Sequence, residues 1–169
     1  MVRLRHFAKL QYGDPRGFLV ELRRFEYAVF ASNTPDRIKT MRTNGLKPER
    51  EMRDAALFCV GMSINLGADV WFAPVEEQDY DFVATWRTDS TQHYRPVQLK
   101  EVVPTHLNPT ASIQEIIGKL THYGDADDVI VAIRFNQRAR FDPTEITPPA
   151  NLRIGGLWVF GAISEDQSM

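Results

Sequence analysis

The chain holds a single cysteine and none of the short motifs that mark the commonest cofactor sites. With one thiol there is no disulfide framework, so a bridge-stapled secreted fold is excluded and a reducing cytoplasm is expected. Cys59 lies in the apolar run Ala55-Ala56-Leu57-Phe58-Cys59-Val60, where a thiol is expected to be buried and inert. His6, His93, His106 and His122 have no H-E-x-x-H or C-x-x-C companion, which argues against zinc. G-x-G-x-x-G, Walker A and G-x-S-x-G are missing, and with them the signatures of dinucleotide binding, P-loop chemistry and the hydrolase elbow. No stretch of about 18 apolar residues occurs, and Met1-Val2-Arg3-Leu4-Arg5-His6 lacks the apolar segment of a signal peptide. Neither export nor membrane insertion is expected. Internal repeats and low-complexity segments are absent too.

What is present is an apolar fraction of 43% over 169 residues, enough for one domain to bury a core unaided by a metal or disulfides. The net charge of -2 hides an asymmetry. Residues 1–50 carry eleven Lys/Arg against five Asp/Glu, net +6, and residues 51–169 carry net -8. A basic part suits a phosphate backbone and an acidic part gathers cations.

Asp14 followed by Pro15 reads as an N-cap with proline at the first helical position, opening a helix to about Ala31 with Phe18, Leu19, Leu22, Phe25, Val29 and Phe30 at helical spacing. Asn33-Thr34-Pro35-Asp36 breaks it, and the connector to Pro48 carries Arg37, Lys39, Arg42 and Lys47 as candidate phosphate contacts. A second helix from Pro48 to Leu66, stopped by Gly67, has Glu49, Glu51 and Asp54 in its first turns. Strands are expected at Asp69–Val75, Tyr80–Arg87 and Tyr94–Val103, as an antiparallel meander. A helix from Ser112 to about Tyr123 follows, opened by a Ser112-to-Glu115 capping box and striped with Ile113, Ile116, Ile117 and Leu120. Asp128–Phe135 reads as a strand covered on both faces, and Trp158-Val159-Phe160 as a last strand before a tail from Ser164. Trp71, Trp86 and Trp158 read as core residues.

Two of these strands carry chemistry. Asp81 lies in Asp79-Tyr80-Asp81-Phe82-Val83, and Gln98-Leu99-Lys100 lies in the next strand-like run. Residues two apart leave a strand on the same face, so Gln98 and Lys100 share one side while Val97 and Leu99 take the other. Asp81 offers an anionic oxygen to a hard cation, Gln98 a neutral carbonyl oxygen, and Lys100 a positive charge beside water or phosphate. That combination suits metal-dependent phosphodiester cleavage.

In this arrangement residues Pro48 to Phe135 resemble the PD-(D/E)xK nuclease superfamily, with its α-β-β-β-α-β order, its acid on the second core strand and its (E/D/Q)-x-K tripeptide on the third. The resemblance implies an α/β (α+β) restriction-endonuclease-like core, a mixed sheet flanked by helices, within a single domain. Residues 1–47 would be a basic helical extension, 48–135 the core, and 136–169 a connector and final strand. It further implies a magnesium site, open to manganese, on Asp81, Gln98 and a first-helix acid, Glu51 or else Glu49 or Asp54. Lys100 would activate or orient water. The chain departs from the commonest pattern in having Gln98 and in lacking a Pro-Asp pair before the strand. With one negative charge fewer, binding would need millimolar magnesium.

The expected activity is endonucleolytic, on DNA in preference to RNA, with Arg37, Lys39, Arg42, Lys47 and Lys119 as nucleic-acid contacts. The alternative is a catalytically inactive member of the same fold serving as a nucleic-acid- or protein-binding accessory subunit. His122-Tyr123 is expected at a surface helix end. A homodimer is expected through the helix from Asp14 or the Trp158 strand.

Overall fold

The computed structural model describes residues 2–33, 35, 46–75, 79–120, 126–137 and 142–161. Its elements are α1 (Val2–Phe7), α2 (Pro15–Ala31), α3 (Lys47–Leu66), β1 (Val70–Pro74), β2 (Phe82–Thr88), β3 (Thr91–Val102), α4 (Ile113–Leu120), β4 (Ala126–Phe135), a 3-10 turn at Pro143–Glu145, and β5 (Ile154–Phe160). The fold is mixed α/β, with a five-stranded sheet ordered β1-β2-β3-β4-β5. Arg37, Lys39, Arg42, His122, Tyr123 and the tail from Ser164 lie outside the described residues. By backbone contacts the chain forms two compact units, Met1–Pro96 and Val97–Met169, so β3 contributes its first half to one and its second half to the other.

In the first unit the helix signals hold. The Asp14 carboxylate accepts from Arg16 N (3.1 Å) and Gly17 N (3.0 Å), satisfying donors that the first turn of α2 leaves open. Proline at the first helical position costs no hydrogen bond, since that amide would be unpaired. The apolar stripe of α2 packs only in part. Leu22 is buried and Phe18 meets Phe72 edge-on at 5.8 Å, but Phe25 and Phe30 are 51% and 71% exposed.

The helix α3 ends on Gly67 in the left-handed region (φ 63°), open to glycine without penalty. Ala55, Ala56, Phe58, Cys59 and Met62 are buried along it, and Phe58 packs edge-on against Phe82 (6.0 Å), itself edge-on to Phe72 (6.4 Å). Ser63 Oγ donates to Cys59 O (2.9 Å) and accepts from Val70 N (3.0 Å), joining α3 to the start of β1.

β1 and β2 are antiparallel, pairing Val70 with Trp86 and Pro74 with Phe82. The outer edge of β1 is closed by Gly13, which exchanges both backbone hydrogen bonds with Phe72 (2.8 and 3.2 Å).

Two features depart from the sequence reading. The short helix α1 was not expected; Phe7 anchors it, 1% exposed against Tyr80 and Val83. The second is the β2–β3 hairpin, whose turn is only Asp89-Ser90, so the strands reach Thr88 and Thr91 where a polar loop was expected. Asp89 takes a positive φ of 51°, a conformation Asp tolerates. The polar residues bond across the strands: Thr85 Oγ1 donates to His93 O (2.7 Å), and Gln92 Nε2 donates to Thr85 Oγ1 (2.6 Å) and Trp86 O (3.2 Å).

In the second unit β3 runs parallel to β4, Gln98 beside Val131 and Lys100 beside Ile133, and β4 runs parallel to β5. Parallel neighbours need a crossover, and α4 lies in it. Its Ile113, Ile117 and Leu120 join Val102, Val131 and Ile133 in one buried cluster. Val129 to Arg134 are all buried, as expected for a strand covered on both faces. Ser112 Oγ accepts from Glu115 N (3.1 Å), but the other half of the capping box does not form, because the Glu115 carboxylate turns to Lys119 Nζ (2.7 Å). Gly155 stands where β4 and β5 shift register; a Cβ there would lie 2.9 Å from the Asp128 carbonyl carbon.

Asp14→Ala should lower stability by about 1 kcal/mol by removing the α2 cap, and Gly67→Ala by roughly 1–2 kcal/mol by forcing a Cβ into the left-handed region. Urea titration of each variant checks both, and unchanged midpoints would contradict these roles.

Candidate functional site

The β1–β2 register ends at the pair Pro74 and Phe82, and the nitrogen of Pro74 is on the outer edge of β1, where proline leaves no unpaired donor. Asp81 stands one residue before β2 rather than within it, correcting the expected strand start at Tyr80. The residue is half-buried, and its backbone oxygen accepts from Val75 N (3.1 Å). Tyr80 fixes its approach. That ring is 5% exposed, edge-on to Phe7 at 5.9 Å, with the Arg3 guanidinium 4.9 Å above it.

The three candidate acids of α3 have different surroundings. Glu51 pairs with Lys47 at 3.3 Å, the carboxylate side chain 41% exposed and the ammonium side chain 63%. Lys47, expected to meet phosphate, is thus engaged on its own helix. Asp54 is buried beside Arg53 (3.6 Å), whose guanidinium also reaches Glu26 of α2 (3.4 Å). Glu49 has one carboxylate oxygen, Oε2, buried with no hydrogen-bond partner among the described residues. A buried oxygen of this kind costs desolvation without return, and a cation would satisfy it. Met52 and Pro74 line the same small cavity, so the first turns of α3 lie at the end of β1 from which the chain leads to Asp81.

In the second unit, Gln98, Lys100 and Val102 alternate onto one side of β3. Val102 belongs to the cluster beneath α4, so Gln98 and Lys100 face the α4 side, Gln98 9% exposed and Lys100 half-buried. The inward stripe of α4 turns Lys119 outward, where its side chain is 69% exposed and paired with Glu115. Lys119 is therefore not brought to the face of Gln98 and Lys100.

The oxygen donors Asp81, Gln98, Glu51 and Glu49 are of the type a hard cation takes. They are few in charge: no group of three or more His, Cys, Asp or Glu positioned to hold a metal occurs among the described residues. Cys59 is fully buried, and burial pushes its thiol up, away from the thiolate. No helix among the described residues is long and apolar enough to cross a membrane.

Sequence reasoning missed one feature. Trp71, read as core, is 44% exposed and lines a cavity of 640 Å³ with Trp86 and two arginines. These residues are scattered over α2, β1 and the hairpin, so no local pattern marks them. Compared with known proteins, the chain matches no family model, no curated protein and no solved structure.

Cys59 should be unreactive to a thiol reagent at pH 8 until denaturant is added; reaction in the native state at the rate of a free thiol would contradict its burial. Because the folded thiol stays protonated while the unfolded one ionises near pH 8.5, stability should fall as pH rises past that value, and less so in Cys59→Ala.

Proposed function

We propose that the chain is a metal-dependent nuclease-like protein that hydrolyses phosphodiester bonds, in DNA rather than RNA, on a restriction-endonuclease-like core. The observation that carries this reading is β3: Gln98 and Lys100 on one side of a strand that continues through a crossover helix into a parallel neighbour, following an acid at the start of β2. The helix-strand-strand-strand-helix-strand order from α3 to β4 supports it.

In this reading Asp81 and an acid of α3, Glu51 or Glu49, supply anionic oxygens to magnesium or manganese, and Gln98 supplies a neutral one. The buried orphan oxygen of Glu49 favours that residue beside Glu51. Bound magnesium stabilises charge building on the phosphate oxygens. The Lys100 ammonium neutralises a non-bridging oxygen or orients the attacking water, and its half-buried setting strengthens that charge over a solvated one. A neutral Gln98 leaves the donor set short of charge, so the protein is expected to need millimolar metal. The same shortage favours the second reading, an inactive member of the fold acting as an accessory binding subunit. The exposure of Phe25 and Phe30 on α2 supports homodimerisation.

Purified protein with Mg²⁺ or Mn²⁺ should nick plasmid DNA. Lys100→Ala and Asp81→Asn should each reduce the rate at least about a hundredfold, while Lys119→Ala, on the outer face of α4, should leave it within about twofold. No cleavage of single-stranded, duplex or branched DNA, with no heat of metal binding, would replace the enzyme by the accessory subunit.

A further inference from the structure

One cavity of the first unit lies away from the acids of α3. It opens where α3 ends on Gly67, between the start of β1 and the β2–β3 hairpin, and measures 640 Å³. Arg16, Asp69, Trp71, Trp86, Arg87 and Gln92 line it. That volume is within the range that takes a small organic ligand.

Its chemistry is a flat aromatic surface beside positive charge. Trp86 is held in place by His93, stacked on it at 5.1 Å with the rings 14° apart, and His93 is fixed in turn by Thr88 Oγ1 (2.6 Å). Trp86 therefore keeps its orientation without a ligand. Trp71 is on the alternate face of β1 from Val70, the residue paired with Trp86, and forms a rim that is 44% exposed.

Two guanidiniums supply charge. The Arg87 side chain is exposed and makes no hydrogen bond or ion pair among the described residues. Arg16 reaches Asp69 at only 3.5 Å, with the two side chains 52% and 83% exposed, a contact weak enough to exchange for another anion. Gln92 spends both amide hydrogens on Thr85 and Trp86, which leaves its carbonyl oxygen as an open acceptor.

We propose that this cavity binds an unpaired nucleotide of a nucleic-acid strand, its base on the exposed Trp71 indole and its phosphate on Arg16 and Arg87. Aromatic stacking with flanking cations suits single-stranded nucleic acid, because every base presents a flat face that a duplex hides. The acceptor of Gln92 suits a base N–H. The need for a flat ring and an anion follows from the cavity; the choice of a nucleic-acid strand rests on the nuclease reading.

The test is fluorescence anisotropy in EDTA, with a labelled thymidine oligonucleotide of about 15 residues, an abasic strand of the same length and a blunt duplex. The base-bearing strand should bind at least about fivefold more tightly than either control. Trp71→Ala and Arg87→Ala, both at exposed positions, should weaken it about five- to a hundredfold, with Trp71→Phe restoring most of the loss. Equal binding of base-bearing and abasic strands, a preference for duplex, or wild-type affinity in both alanine variants would overturn the proposal. Cleavage assays with Mg²⁺ on the same proteins separate the two readings. Strand binding lost in the cavity variants while wild type cleaves nothing upholds the cavity and defeats the nuclease; cleavage by wild type with unchanged strand binding in those variants defeats the cavity alone.

Discussion

The packing of α3 onto β1 and β2 through Phe58, Phe72 and Phe82 is the contact on which the first unit depends. Three rings meet edge-on in the interior, and Ser63 ties the far end of the helix to the first amide of β1. Losing one such ring costs roughly 3–5 kcal/mol, a large part of the ~5–15 kcal/mol that holds a domain folded. A helix of 20 residues is about 30 Å long, so this one contact sets features at two distant places. At the N-terminal end are Glu49, Glu51 and Asp54, near the end of β1. At the C-terminal end Gly67 stops the helix and opens the arginine- and tryptophan-lined cavity.

The second unit rests on a different constraint, the parallel pairing of β3 and β4 across α4. Parallel strands bury both faces, and Val129 to Arg134 are accordingly all buried. A polar side chain on β3 must then find a hydrogen-bonding partner. Gln98 is 9% exposed in the register of Val131. An amide suits that place better than a carboxylate would, since burying a full charge costs far more than burying a dipole. The amide that is easier to bury also brings no negative charge to the proposed metal site.

Features written in local chemistry were legible in the sequence: Asp14 before Pro15, the glycine after Leu66, the isoleucine stripe of α4, and the alternation that puts Gln98 and Lys100 on one side. Features that depend on partners far along the chain were not. α1 exists because Phe7 finds Tyr80 and Val83, and nothing within six residues announces it. The hairpin is longer than its polarity suggested because Gln92, Thr85 and His93 bond to one another across it. Asp81 falls one residue outside β2, joined to Val75 by a single backbone hydrogen bond that no local pattern announces. The buried oxygen of Glu49 and the pairing of Glu51 with Lys47 likewise appear only once α3 is packed, so a choice among the three acids was beyond the sequence. The cavity at Gly67 draws on residues from Arg16 to Gln92 and was invisible for the same reason.

The central proposal is that Asp81 and Gln98 bind one divalent cation, and a crystal soaked in manganese tests it most directly. The account predicts an anomalous peak bonded at about 2.1 Å to an Asp81 carboxylate oxygen and the Gln98 carbonyl, with an acid of α3 completing the set. Manganese bound elsewhere, or no peak with the Gln98 amide packed beneath α4, would contradict it.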